Sequence, residues 1–269
     1  MRVAVVGHLE WVEFVHVDHV PAAGEIVHGD PTLAVAAGGG AVAAVQLARW
    51  GARSHFFSAF GNDPLGHRAH DELERRGVEV HANFRREPQR RALTLIDRQR
   101  DRTIIVLGNR LVPNGSDALP WHELATCDAV YITGGDVAAL REARRARVVV
   151  ATARILPVLR ESGIQIDALV GSEADSAERY VAGDLPLAPK LSVRTEGARG
   201  GFFEVAGVKR PYTSVPAAVT GDTYGAGDTF AAGLTFALGE GRAPEAAIAF
   251  AATKAAEIVA YDGPYPPKS

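Results

Sequence analysis

Gly221-Asp222-Thr223-Tyr224-Gly225-Ala226-Gly227-Asp228-Thr229-Phe230 runs directly into Ala231-Ala232-Gly233-Leu234-Thr235-Phe236-Ala237-Leu238, a glycine-rich turn that opens a helical pattern. The glycines permit tight backbone turns, and amides entering a helix N-terminus converge on one point of positive potential. Such a loop binds anions. Asp228 beside it can accept a proton from an attacking hydroxyl, while the amides of Gly225, Ala226 and Gly227 stabilise charge on a transferring phosphoryl group. Gly-x-Gly-Asp alone is more often a turn with an aspartate helix cap. The longer string, Asp-Thr-x-Gly-Ala-Gly-Asp-Thr-Phe, narrows the reading. It ends about 40 residues from the C-terminus, whereas a dinucleotide-binding fingerprint follows an early strand. No Gly-x-x-x-x-Gly-Lys-Ser/Thr string occurs, so a P-loop is not supported.

Upstream of that stretch, short runs rich in Val, Ile and Phe alternate with longer Ala-rich helical segments, the pattern of a mainly parallel sheet covered by helices. The fold class is therefore α/β. Strands are predicted over Arg2 to Val6, Ser54 to Phe60, Ala129 to Thr133, Val148 to Ala151, Ala168 to Val170 and Leu191 to Thr195. Helices are predicted over Gly40 to Trp50, Pro64 to Arg76, Asp136 to Arg144, Ser172 to Ala182, Asp228 to Leu238 and Pro244 to Tyr261. Two segments break the rhythm. Residues 10–34 read partly as period-two strand, and residues 91–107 read as a hairpin around a polar turn, so together they predict a small extra sheet projecting from one domain spanning 1–269. The Pro-rich stretch Gly263 to Pro267 reads as a tail that ends the last helix.

The bulk numbers exclude other classes. The chain has 269 residues, 47% hydrophobic and 23% charged, with a net charge of -3 and scattered basic residues. That charge distribution lacks the footprint of a nucleic-acid binder, and no apolar run is long enough for a membrane span. The short apolar N-terminus reads as a buried strand rather than a signal peptide. One cysteine, Cys127, permits no intramolecular disulfide and fits a cytoplasmic setting. It reads as a small buried residue. The histidine pairs His67 with His70 and His16 with His19 show no supporting ligand pattern.

The string around Asp228 resembles the C-terminal signature of the ribokinase-like, or PfkB, carbohydrate kinases. Ala37-Gly38-Gly39-Gly40-Ala41-Val42 leading into a helix, and Gly61-Asn62-Asp63-Pro64-Leu65-Gly66, resemble two further segments of that family, so the resemblance covers nearly the whole chain. It implies a ribokinase-like fold with a β lid and ATP-dependent phosphorylation of a hydroxyl on a small molecule. It also implies magnesium, possible use of potassium by analogy with some members, and roles for particular residues. Asp228 matches the base, with Gly225, Ala226 and Gly227 as the anion hole. Thr195, Gly197, Gly200, Thr223, Ala252 and Ala255 fall at nucleotide-binding positions. Gly38, Gly39, Glu10, Val12 and Val42 fall at acceptor positions, Asp222 at a monovalent-cation position, and Asp175 near the group that organises magnesium water.

The departures matter as much. Val12 stands where sugar kinases often carry a substrate-gripping aspartate, and Val42 replaces the usual asparagine after the Gly-Gly turn. Apolar side chains cannot hydrogen-bond a buried hydroxyl, which argues against an ordinary ribose or fructose acceptor. Glu10, Glu13 and Gln46 are alternative partners. Ser172-Glu173-Ala174-Asp175 replaces the family's Asn-x-x-Glu and reads equally as a plain helix cap. Three readings stay open: a sugar kinase, a kinase for a nucleoside or pyrimidine-type alcohol, and a metabolite-binding regulatory protein with weak catalysis. A homodimer through the projecting sheet is a further expectation, since an exposed strand edge invites pairing.

Overall fold

The computed structural model describes residues 1–217 and 220–266. Pro267 lies outside the described residues. The N-terminal half runs β1 (Arg2–Val6), β2 (Glu10–Val17), β3 (Gly29–Ala37), α1 (Gly39–Arg49), β4 (Arg53–Gly61), α2 (Pro64–Arg75), β5 (Val78–Arg85), β6 (Arg91–Ile96) and β7 (Arg102–Leu107). It continues through β8 (Ala129–Ile132), α3 (Val137–Ala143), β9 (Val148–Thr152), α4 (Leu156–Ser162), β10 (Ala168–Ser172), β11 (Leu191–Thr195), β12 (Gly201–Val205), β13 (Val208–Tyr212), α5 (Ala226–Gly239) and α6 (Pro244–Ile258).

Nine strands make one sheet in the order β13-β12-β11-β10-β9-β8-β1-β4-β5. β1 lies between β4 and β8, parallel to both, with Val3 opposite Ser54 on one side and Ala129 on the other. A strand paired on both edges and covered on both faces must be apolar throughout, and Val3 to Val6 have no accessible surface. Alternation then divides the core. Val3 and Val5 join the cluster under α1, α5 and α6, whereas Ala4 and Val6 join the one under α3 and α4. α5 and α6 touch closely at Gly233, where a Cβ would lie 2.9 Å from the Cα of Ala251.

The remaining strands form a second sheet in the order β3-β2-β6-β7. Trp11, Val12, Phe14, Val35, Ala36, Ala92 and Ile96 turn inward and belong to the same core as α1 and α5. The outer strand β7 is different. Ile104, Ile105, Val106 and Leu107 are each 41–45% exposed on an unpaired edge. The β6–β7 hairpin leans on the C-terminal part of the chain. Arg102 Nη1 donates to Thr223 Oγ1 at 2.9 Å, and Arg100 Nη1 reaches Asp262 Oδ1 at 2.8 Å.

Several expectations change. The helix predicted over Ser172 to Ala182 is absent, and only a single 3-10 turn forms, Ser176–Glu178. Its polar side chains take backbone donors a helix would need: the Asp175 carboxylate accepts from Ala177 N at 2.9 Å, and that of Glu178 from Ser172 N at 3.0 Å. β5, β12, β13 and α4 are additional elements. The last helix stops at Ile258 rather than Tyr261. The segment expected as a tail is instead buried from Gly263 to Tyr265. Three of its polar groups bond inward: Gly263 N donates to Asp222 Oδ2 at 2.7 Å, Pro264 O accepts from Gln46 Nε2 at 3.0 Å, and Tyr265 Oη donates to Ala36 O at 2.8 Å.

Candidate active site

Gly225 caps α5 in the left-handed region, at φ 78°. A Cβ here would sit 3.2 Å from Val42 Cγ1 and 3.3 Å from Pro264 Cβ, so both conformation and space select glycine. The helical ladder begins when Thr229 N donates to Gly225 O at 2.8 Å. Of the expected anion hole, the Ala226 amide already donates to Thr223 O at 3.4 Å, whereas the amides of Gly227 and Asp228 have no acceptor among the described residues. Nothing lies within 4 Å of a Cβ built on Gly227, so the approach to these donors is open. Unsatisfied amides at a helix N-terminus facing open space fit a phosphate group.

Asp228 is in the first turn of α5. Opposite it, the turn before α1 brings backbone against the carboxylate: a Cβ on Gly39 would lie 2.9 Å from Asp228 Oδ1 and 3.6 Å from His8 Cε1. Gly38, at φ 83°, would place a Cβ 3.1 Å from Glu10 N. Burial raises the Asp228 carboxyl from its ordinary 3.8 to about 6, helped by the charge of Glu178 and opposed by Arg154 and Arg102. A carboxylate so placed accepts a proton more readily than an exposed one.

The wall facing Asp228 comes from the end of β1 and from the two ends of the β6–β7 hairpin. Glu10 is nearly buried and pairs with Arg90 at 2.7 Å. Desolvation raises its carboxyl, with Arg90 and Arg110 opposing. Arg110 Nη2 lies 2.8 Å from His8 Nδ1 and 3.1 Å from His8 Nε2, and donates to Thr133 O at 3.3 Å. Burial, reinforced by Arg110 and Arg90, holds the His8 imidazole well below its ordinary value, so the ring is neutral. Across the cleft, Arg154 contacts both Asp175 and Glu178, at 2.5 and 2.7 Å.

The family model for "pfkB family carbohydrate kinase" matches residues 1–165 and 165–269. The chain belongs to the pfkB family of carbohydrate kinases. Membership makes it a phosphotransferase with an alcohol group as acceptor. The fold is similar to that of a ribokinase from Thermotoga maritima, at 21% identity and TM-score 0.78 over 98% of this chain and 94% of that one. It is also similar to an Arabidopsis thaliana ribokinase complexed with ribose and ATP, at 22% identity and TM-score 0.78 over 98% and 96%. An adenosine kinase from Sinorhizobium meliloti aligns at 17% identity and TM-score 0.79 over 98% and 95%. A comparison with curated protein sequences returned no match.

Within this pfkB kinase the other sequence candidates occupy varied places. Val12 and Val42 have no accessible surface and serve packing, Val42 beneath the Gly225 turn. Neither presents atoms to an acceptor. Gln46 is also buried, donating to Pro264, and Glu13 is held by Arg91 at 2.7 Å. Both oxygens of Asp222 are taken by backbone, Oδ1 by Tyr224 N at 2.6 Å and Oδ2 by Gly263 N at 2.7 Å. That carboxylate ties two loops together. Asp175 is likewise engaged, by Arg154 and by Ala177 N, which together hold its carboxyl low.

Thr195 ends β11, and Gly197 and Gly200 shape the turn beyond it, at φ 60° and 89°. Gly200 is forced by space as well, since a Cβ would lie 2.2 Å from Tyr212 O. Thr223 is exposed at the cleft edge, accepting from Arg102. Ala252 and Ala255 lie on α6, where both pack against the core. Cys127 is buried, its thiol pushed up to about 11 by burial, so it supplies no thiolate.

Five charged or titratable groups of the cleft are additions to the sequence reading: His8, Arg90, Arg110, Arg154 and Glu178. The available signal was position. His8 follows the Gly7 just beyond β1, and Arg90 and Arg110 flank the predicted hairpin. A further cluster, His55, Glu79, His81 and Glu123, sits nearer the other end of the strands, with His55 Nδ1 3.0 Å from His81 Nε2 and 3.5 Å from Glu79. Arg53 and Arg2 already pair with its two carboxylates. Among the described residues no helix is long and apolar enough to cross a membrane.

Proposed function

We propose that this chain transfers the γ-phosphate of ATP to a hydroxyl of a small polar acceptor, with Asp228 as general base. The observation that carries this reading is the join of a raised-pKa carboxylate to two free amides at the start of α5. Asp228 orients the acceptor hydroxyl and takes its proton as the oxygen attacks phosphorus. The Gly227 and Asp228 amides hold the phosphoryl oxygens where negative charge is concentrated. Asp175 and Glu178 are the carboxylates on the phosphate side that could face magnesium, both now paired with Arg154, and a bound dication would supply charge neutralisation there.

The β2-β3-β6-β7 sheet acts as a lid, hinged at the segments that carry Glu10, Arg90 and Arg110, and it excludes water when the acceptor is bound. The apolar edge at Ile104 to Leu107 supports pairing of two copies through β7. Sedimentation of the intact protein and of Ile105→Lys tests this: a dimer that the lysine dissociates is expected, and a monomer at all concentrations defeats it. For the main reading, ADP release is measured with magnesium and ATP over sugars, sugar phosphates, sugar acids and nucleosides. Turnover that needs both acceptor and Asp228 is expected. Turnover retained in Asp228→Asn sinks the assignment.

A further inference from the structure

Arginines converge on the acceptor side of the cleft in excess of the carboxylates there. Arg90 stands one residue before β6 and Arg110 three residues after β7, so each strand of the hairpin delivers a guanidinium to the hinge. Glu10, the carboxylate of that wall, is already paired with Arg90 at 2.7 Å. Arg154 is paired across the cleft with Asp175 and Glu178. Arg110 makes no ion pair among the described residues: its Nη2 rests on the neutral His8 ring and Thr133 O, and its Nε is buried with no hydrogen-bond partner.

A half-buried guanidinium without a counter-ion is costly, and a fork of N–H donors matches a carboxylate or phosphate group. The His8 ring touching Arg110 also lies against Gly39, beside Asp228 Oδ1. An anion on Arg110 therefore belongs to a molecule whose other end reaches the base. It is not the γ-phosphate, which the amides at the start of α5 serve. Val12 and Val42, apolar and wholly buried, offer an acceptor no hydrogen bond here.

Building on the kinase reading, we infer that the acceptor is itself an anion, a hydroxylated compound bearing a phosphate or carboxylate that seats on Arg110 and, beside it, Arg90. The anion also clamps the lid, since both arginines sit at its hinge.

The test uses matched pairs: ribose with ribose 5-phosphate, glucose with glucose 6-phosphate and with gluconate, and glycerol with glycerate. Binding is followed by calorimetry, turnover by ADP release, in wild type, Arg110→Gln and Arg110→Lys, each checked for a native melting transition. The charged member of at least one pair is expected to bind about 100-fold more tightly than the neutral one. Arg110→Gln should remove that margin, with the loss falling on KM more than kcat, and Arg110→Lys should restore part of it. Phosphate-bearing and carboxylate-bearing members tell the two anions apart. Equal or better binding of every neutral member overturns the inference while leaving the kinase intact, as does a loss of kcat in Arg110→Gln that is the same for all acceptors. Tight, Arg110-dependent binding of a charged member without turnover upholds the anion site and defeats the kinase reading instead. Failure of every charged member to bind defeats the anion site.

Discussion

The two walls of the cleft differ in how the chain supplies them. The phosphate wall, Gly221 to Asp228, is one continuous run whose backbone does the work, through a left-handed glycine and free amides. The acceptor wall is gathered from His8, Glu10, Gly39, Arg90 and Arg110, which meet only because β1, α1 and the β6–β7 hairpin end at one place. Backbone donors at a helix start depend little on side-chain identity, whereas an assembled wall can change residue by residue. On the proposed reading, the first therefore fixes the reaction and the second the acceptor.

The sharpest way to break that division is Asp228→Asn. Asparagine keeps the shape but cannot take the proton, so kcat should fall at least about 100-fold, with nucleotide binding retained. A loss confined to KM would mean that Asp228 belongs to the binding wall.

Gly39→Ala probes the seam between the walls. Its methyl would lie 2.9 Å from Asp228 Oδ1 and must displace the carboxylate or the turn. A shift of this kind near reacting atoms costs on the order of 10- to 100-fold in kcat. Activity within twofold of wild type would show that the base sits elsewhere in the working enzyme.

The anion-binding turn can be proposed from the sequence because its information is local: Gly225, Ala226, Gly227 and Asp228 are four successive residues. The sheet was legible for a related reason, since strands buried on both faces are apolar without interruption. Edge strands were not, because β12 and β13 are short and partly exposed. The acceptor wall was only half visible. Val12 and Val42 show in the sequence as apolar residues at acceptor positions, and in the fold both are wholly buried. His8 and Arg110 cannot be paired from the sequence, because their spacing of over a hundred residues carries no periodic signal. The turn at Ser176–Glu178 misled for another reason: Asp175 and Glu178 look like helix surface until Arg154 and two backbone amides claim them.

A smaller effect separates the walls by pH. The folded Asp228 carboxyl titrates at about 6 against an ordinary 3.8, so kcat/KM should rise with pH to a plateau above about 6. The same shift has a stability sign. The raised group favours the fold at acid pH, and that contribution fades as pH climbs from about 4 through about 6. Asparagine carries no such loss. Asp228→Asn should therefore be the more stable protein above pH 6, by on the order of 2 kcal/mol, and the gap should close by pH 4 in denaturant titrations. A pH-independent gap would mean that Asp228 is not strained by ionisation.

The smallest effect tests whether the C-terminal segment belongs to the phosphate wall or merely lies on it. Tyr265 is buried, donates to Ala36 O at 2.8 Å, and takes Arg76 over its ring at 4.2 Å. Pro264 packs beside Gly225, and Gly263 holds Asp222, so the segment props the anion loop from behind. Tyr265→Phe keeps the ring and its volume but deletes one buried hydrogen bond and orphans the Ala36 carbonyl, a cost of about 1 to 2 kcal/mol in unfolding free energy. Because the lost bond is to β3 rather than to the loop, kcat should change less than threefold. A larger drop in kcat at unchanged stability would show that the segment sets the position of Gly225 as well as covering it, and the phosphate wall would then be as much an assembled structure as the wall it faces.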